Sequence, residues 1–147
     1  SQLAEQAPQW RAAFGYEFLE RADGFTGLAK TYGLRFAEPP RVMDLALTYQ
    51  ALADRKVDVI AGDSTNGLII ALGLTVLEDD KHYFPPYEAV PIVRQEALSA
   101  HPEIAQALAE LAGKISDAEM RELNYQVDGK HRDAKQVTAE FLTSKGF

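Results

Sequence analysis

Residues 57–94 read VDVIAGDSTNGLIIALGLTVLEDDKHYFPPYEAVPIVR, and this stretch decides the fold. Residues 57–61 are apolar except for Asp58, the pattern of a short buried strand. Gly62, Asp63, Ser64 and Thr65 turn the chain, and Ser64 or Thr65 is a suitable N-cap for a helix over residues 68–72. Gly73 stops that helix. Residues 74–77 then read as a second strand and residues 78–81 as a solvated acidic loop. An aromatic and proline turn, HYFPPY, leads into a third apolar strand at residues 89–93.

The flanks repeat this alternation. Upstream, residues 3–10 form a short helix ending near Pro8. Phe14, Tyr16 and Phe18 alternate within an expected strand over residues 12–18. A helix over residues 25–32 closes at Gly33, and a strand covers residues 34–37 before Pro39 and Pro40 break the chain. Asp44 starts a helix whose apolar face is Leu45, Tyr49 and Leu52. Downstream the chain turns helical. Ile104, Leu108, Leu111 and Ile115 lie on one face of an expected helix over residues 102–115. Ser116 to Glu119 is a capping box for the next helix, with Met120, Leu123 and Val127 inward and Gly129 at its end. Asp133 caps a last helix running to Gly146. Strands alternating with helices predict an α/β layer with a mostly parallel sheet, whose ligand crevice lies at the carboxyl ends of the strands.

Composition narrows the function. The 147 residues carry a net charge of −7, which opposes a nucleic-acid partner, since phosphate binding needs clustered Lys and Arg. The chain has no cysteine, and its 3 histidines are far apart, so a thiolate or paired-histidine metal site is not expected, nor any cofactor. The acidic loop lacks the spacing of a calcium hand, Ser64 lacks the context of a hydrolase nucleophile, and a P-loop is absent. No apolar run reaches the roughly 18 residues of a membrane span. The first residues show neither the basic nor the apolar segment of a signal peptide, and a mature or excised chain would look the same, so this says little about location.

GDSTNG followed by EDDKHYFPPY resembles the substrate-binding proteins of osmoprotectant ABC importers, which take up glycine betaine, choline, carnitine and related amines. The resemblance extends upstream through FLERADGF and VMDLALTYQAL and downstream through ISDAEMRELNYQVDG. It covers nearly the whole chain, but only about the C-terminal half of such a protein. It implies one lobe of a type II periplasmic-binding-protein fold, residues 1–88 forming the second lobe. Residues 89–147 would then be a crossover strand and C-terminal helices belonging to the first lobe. It implies extracytoplasmic solute capture by lobe closure, no enzymatic activity, and partnership with membrane subunits, on separate chains or fused to this one. The alternative is the ligand-sensing effector domain of a transcription regulator with the same architecture. A small α/β enzyme ranks third, because no reacting pair of side chains stands at the strand ends.

Five residues are candidates for the site: Arg21, Asp63, Ser64, Thr65 and Tyr87. A quaternary ammonium has no N–H to donate, so aromatic faces hold it by cation–π attraction. Tyr87 is either such a face or packing around the turn, and the resemblance makes it a cage wall; Tyr83 and Phe84 read as packing. Arg21 either forks a ligand carboxylate or pairs on the surface with Glu20 or Asp23. The resemblance assigns it the betaine carboxylate. Thr65 and the N–H groups after it suit an anion or merely cap the helix, as does Ser64. Asp63 departs from the family, several members of which place an aromatic residue there. It either attracts the cation by charge or only caps the helix, and it opens the site to solutes other than glycine betaine, ergothioneine among them. The apolar faces of the C-terminal helices and an unpaired strand at 89–93 lead us to expect that the chain by itself forms a homodimer by helix exchange. They also lead us to expect poor solute binding, since half of the cleft lies outside it.

Overall fold

The tripeptide Ala12-Ala13-Phe14 forms the central strand, β1 (Ala12–Phe14), and all three residues are buried. Burial of consecutive residues means that both faces of the strand are covered, as parallel sheets require. In the computed structural model, which describes residues 1–86 and 88–147, β1 lies between β2 (Arg41–Val42) and β3 (Val59–Ile60). Both pairings are parallel, giving the order β2-β1-β3. The expected α/β fold with a parallel sheet is therefore present.

The chain divides into two compact units, Ser1–Asp63 with Thr75–Pro86, and Ser64–Leu74 with the residues from 87 to Phe147. The expected boundary at residue 88 lies beside the last of the crossings between them. Residues 64–74, however, pack with the C-terminal helices.

In the first unit, α1 (Leu3–Gln6) and a short 3-10 turn (Ala7–Gln9) precede β1. The expected strand over 12–18 is cut short, because α2 (Tyr16–Glu20) begins directly after Gly15. Next comes α3 (Phe25–Tyr32), which ends at Gly33 in the left-handed conformation, φ 71°, a region closed to most side chains. Residues 34–37 form no strand; β2 follows them instead. Helix α4 (Leu45–Ala53) is capped by Asp44, whose carboxylate accepts from Ala46 N at 2.9 Å. Its buried face is Thr48, Tyr49 and Ala51, while Leu45 is exposed, so the expected stripe is rotated.

The alternation of the strand sorts the core into two layers. Ala13 meets Ala51 of α4 and Val57, with Met43, Leu52 and Ile60 against them. Phe14 points to the other face, where its ring lies 5.3 Å from Phe18 of α2, 5.0 Å from Phe25 of α3 and 6.1 Å from Phe36. Burying a phenylalanine contributes about 1.5–3 kcal/mol, and such ring pairs add about 0.5–1.5 kcal/mol each. Arg11 clamps β3 to β1 by a two-pronged pair with Asp58, at 3.0 and 3.1 Å. That pairing holds the Asp58 carboxyl below its ordinary range.

In the second unit, α5 (Leu68–Ala71) is followed after the crossover by α6 (Gln95–Ala100), α7 (Glu103–Glu110), α8 (Asp117–Asn124) and α9 (Ala134–Lys145). A π-turn, Tyr125–Gly129, extends α8. The capping box is formed: Ser116 Oγ accepts from Glu119 N at 3.3 Å, and Ser116 N donates to Glu119 at 2.9 Å. Asp133 caps α9 through Gln136 N at 2.9 Å. The strands expected at 74–77 and 89–93 are absent; both stretches are irregular, with no neighbouring strand to complete their hydrogen bonds. Among the described residues, no helix is long and apolar enough to cross a membrane.

Candidate functional site

The order β2-β1-β3 locates the crevice. The chain leaves β1 to one side through α2 and α3 to make β2, then crosses back through α4 to make β3 on the other side. Ligands of open parallel sheets bind beyond the carboxyl ends of the strands where this reversal occurs, here between β1 and β3. Past β1 come Gly15, Tyr16 and α2, with Arg21 immediately after that helix. Past β3 come Ala61, Gly62 and Asp63.

Asp63 is positioned from beneath by Tyr49. This tyrosine is buried, and its hydroxyl lies against Gly62, the residue before Asp63. Burial pushes the Tyr49 phenol up, the nearby Asp63 carboxylate adds to the rise, and the Asp63 backbone opposes both. Gly62 allows this approach, because a β-carbon there would stand 2.2 Å from the Tyr49 hydroxyl. The Asp63 carboxylate itself is exposed and makes no hydrogen bond or ion pair with other described residues. It does not cap α5. That helix begins at Leu68, whose N–H is met by Asn66 Oδ1 at 2.9 Å.

Arg21 is exposed and forks Asp23, with Nε to Oδ1 at 2.8 Å. The surface ion pair anticipated for it is thus formed with Asp23. An exposed pair of this kind is worth about 0–1 kcal/mol, so a ligand carboxylate can compete for the guanidinium. Tyr87 lies outside the described residues.

Ser64 and Thr65 belong to the second unit, and neither caps α5, which corrects the N-cap expected for them. Ser64 Oγ donates to Asp117 Oδ2 at 2.8 Å, and Arg121 Nε donates to the Ser64 carbonyl at 2.7 Å. Asn124 Nδ2 donates to the Thr65 carbonyl at 2.9 Å. The turn is therefore fastened to α8, a role that short-range sequence reading could not find because its partners are more than fifty residues away.

The acidic loop also has a role that its composition concealed. Asp79 is half-buried, accepts from the Tyr32 hydroxyl at the end of α3, and accepts from Phe84 N at 2.8 Å. Burial acts to raise its carboxyl; the bonds from Tyr32 and from the backbone of Phe84 and Tyr83 outweigh this and leave it below the ordinary range. Burial and Asp79 together push Tyr32 up to about 12. Tyr83 donates to the Gly24 carbonyl at 3.1 Å, and its ring meets Phe84 edge-on. EDDKHYFPP is thus a clasp on α3, and Tyr83 packs as expected.

Comparison with known proteins gives this geometry a context. The sequence pattern of one family, the substrate binding domain of the ABC-type glycine betaine transport system, matches residues 1–144. The chain belongs to this family. Members of the glycine betaine binding-domain family are solute-binding components of transporters, and the regulator alternative finds no support. The carnitine transport binding protein OpuCC of Listeria monocytogenes is 39% identical over 133 residues, covering 88% of this chain and 42% of that protein. The ergothioneine transport permease/ergothioneine binding protein EgtU of Helicobacter pylori is 35% identical over 146 residues, covering 99% of this chain and 26% of that protein. A solved glycine betaine/carnitine/choline ABC transporter structure superposes with a TM-score of 0.83 at 42% identity, over 97% of this chain and 52% of its own. The chain thus spans less than half the length of these curated relatives and about half of the solved chain.

Proposed function

We propose that this chain is part of the extracytoplasmic solute-binding component of an ABC importer, and that it captures a quaternary-ammonium osmoprotectant such as glycine betaine, choline or a related betaine. The observation that carries the reading is the family match over residues 1–144. Two features of the carboxyl edge of the sheet support it: an exposed carboxylate at Asp63 and an exposed guanidinium at Arg21, suited to the two ends of a betaine. In this reading residues 1–88 act as the second lobe and residues 89–147 as the crossover and helices of the first. Lobe closure traps the solute without covalent chemistry or a cofactor. Ser64, Thr65 and Tyr87 are further candidates for contact with the solute, Tyr87 through a ring face. The partners are the importer's membrane subunits, on separate chains or, as the name of the Helicobacter relative indicates for that protein, on the same one. Val90 and Ile92, 69% and 93% exposed, favour pairing of the chain with a second copy when it is expressed alone.

A calorimetric screen of the full-length protein that contains this chain against glycine betaine, choline, carnitine and ergothioneine tests the function. Saturable binding of at least one is expected, and Tyr87→Ala should weaken it by about 1–2 kcal/mol. Absence of binding to every cationic solute would refute the reading.

A further inference from the structure

Helix α8 gives one whole face to the turn that follows Asp63. Asp117, Arg121 and Asn124 are spaced i, i+4 and i+7, on one side of the helix. All three bind two consecutive residues of the turn. Asp117 Oδ2 accepts from the Ser64 hydroxyl at 2.8 Å, Arg121 Nε donates to the Ser64 carbonyl at 2.7 Å, and Asn124 Nδ2 donates to the Thr65 carbonyl at 2.9 Å. Gly67 continues the contact in backbone alone: a β-carbon there would stand 2.7 Å from Tyr125 N and 2.9 Å from Asn124 C. Tyr125 also opens the π-turn that ends α8, a distortion common at functional positions.

The course of residues 64–67 is therefore set by α8. Helix α5, which they enter, is a single turn, Leu68–Ala71. One turn of helix is not stable by itself and cannot order the residues before it. Helix α8 is better anchored, since the capping box at Ser116 fixes its start. Arg121 is half-buried, and its charged donor makes the shortest of the three bonds.

We infer that Arg121 and Asn124 are positioning residues for solute capture: α8 holds the Ser64–Thr65 turn by its carbonyls in the course that meets the solute, and bound solute in return steadies α8. This rests on the proposed capture of solute and adds to it residues that do not themselves touch the solute. Released from α8, the turn samples other courses, and affinity falls with the fraction of time spent in the competent one. The effect is reciprocal, because a helix that raises the affinity of the turn for solute is itself stabilised when solute binds.

The test uses the full-length protein that contains this chain, with glycine betaine, choline, carnitine and ergothioneine as probes. Calorimetry reads affinity, and thermal unfolding is followed alongside. Arg121→Met keeps the stem and removes the donor, and should weaken every probe that the parent binds by about threefold to thirtyfold. Arg121→Lys keeps a charged donor and should recover most of that loss. Lys145→Met breaks the pair between Lys145 and Glu119, on the same helix but away from the turn. It should lower the unfolding temperature and leave affinity unchanged. Equal affinity in Arg121→Met and the parent would overturn the inference while leaving the proposed function standing. An equal loss in Lys145→Met would also overturn it, by reducing Arg121 to general support of α8. Hydrogen exchange on the parent needs no variant to fold: saturating solute should slow exchange in α8, and unaltered exchange there would refute the coupling. A parent that binds none of the probes would remove the function and this inference together.

Discussion

Gly62→Ala is the sharpest test of how the crevice is built. An added β-carbon would stand 2.2 Å from the Tyr49 hydroxyl oxygen, 2.8 Å from Cζ and 3.4 Å from Cε2. Ordinary carbon–carbon contact begins at about 3.5 Å, so the turn and the ring must separate by roughly 1 Å. Tyr49 is only 3% exposed and cannot swing out without opening the core beneath α4. Overpacking of this kind costs about 1–3 kcal/mol. The expected loss is therefore about 1–3 kcal/mol. Urea unfolding followed by fluorescence of Trp10, the only tryptophan, reports it from the first unit. Tyr49→Phe in the Gly62→Ala background removes the shortest contact but not the one to Cζ, so it should restore part of the loss. An unchanged midpoint in Gly62→Ala, or a double variant no more stable than the single, would refute the reasoning.

Three further outcomes are expected. Arg21→Ala should weaken glycine betaine far more than choline, because only the former carries a carboxylate to fork; calorimetry showing a uniform loss would make Arg21 structural. Asp79→Ala should loosen the clasp on α3 by about 1–2 kcal/mol, since it removes the acceptor of the Phe84 N–H and of the Tyr32 hydroxyl; hydrogen exchange should show faster exchange at residues 82–84, and unaltered exchange there would count against the clasp. Lys145, then the Ser116 backbone and hydroxyl, hold the Glu119 carboxyl down at about 2, against 4.5 ordinarily. A depressed carboxylate adds stability above its unfolded value and loses it as pH falls through the folded one, so α8 and α9 should lose support between pH 4.5 and about 2. A carboxyl NMR titration with its midpoint near 4.5 would contradict this.

What the sequence determined by itself is the set of features closed within a few residues. Asp44, Ser116 with Glu119, and Asp133 each satisfy backbone donors two or three positions along, so their helices start where expected. Gly33 ends α3 through its own backbone freedom. The family motif is equally local, and the parallel α/β class follows from alternation alone. Strand extents required the tertiary structure, because a strand exists only where another supplies its hydrogen bonds. Residues 34–37, 74–77 and 89–93 have suitable side chains but no such partner, and Arg41–Val42, exposed and unremarkable in sequence, does. The site divides in the same way. Arg21 and Asp63 were legible as charged residues beside strand ends. That Asp79 clasps Tyr32 and that Ser64 is fastened to Asp117 depend on chain separations of about fifty residues, which only folding brings together.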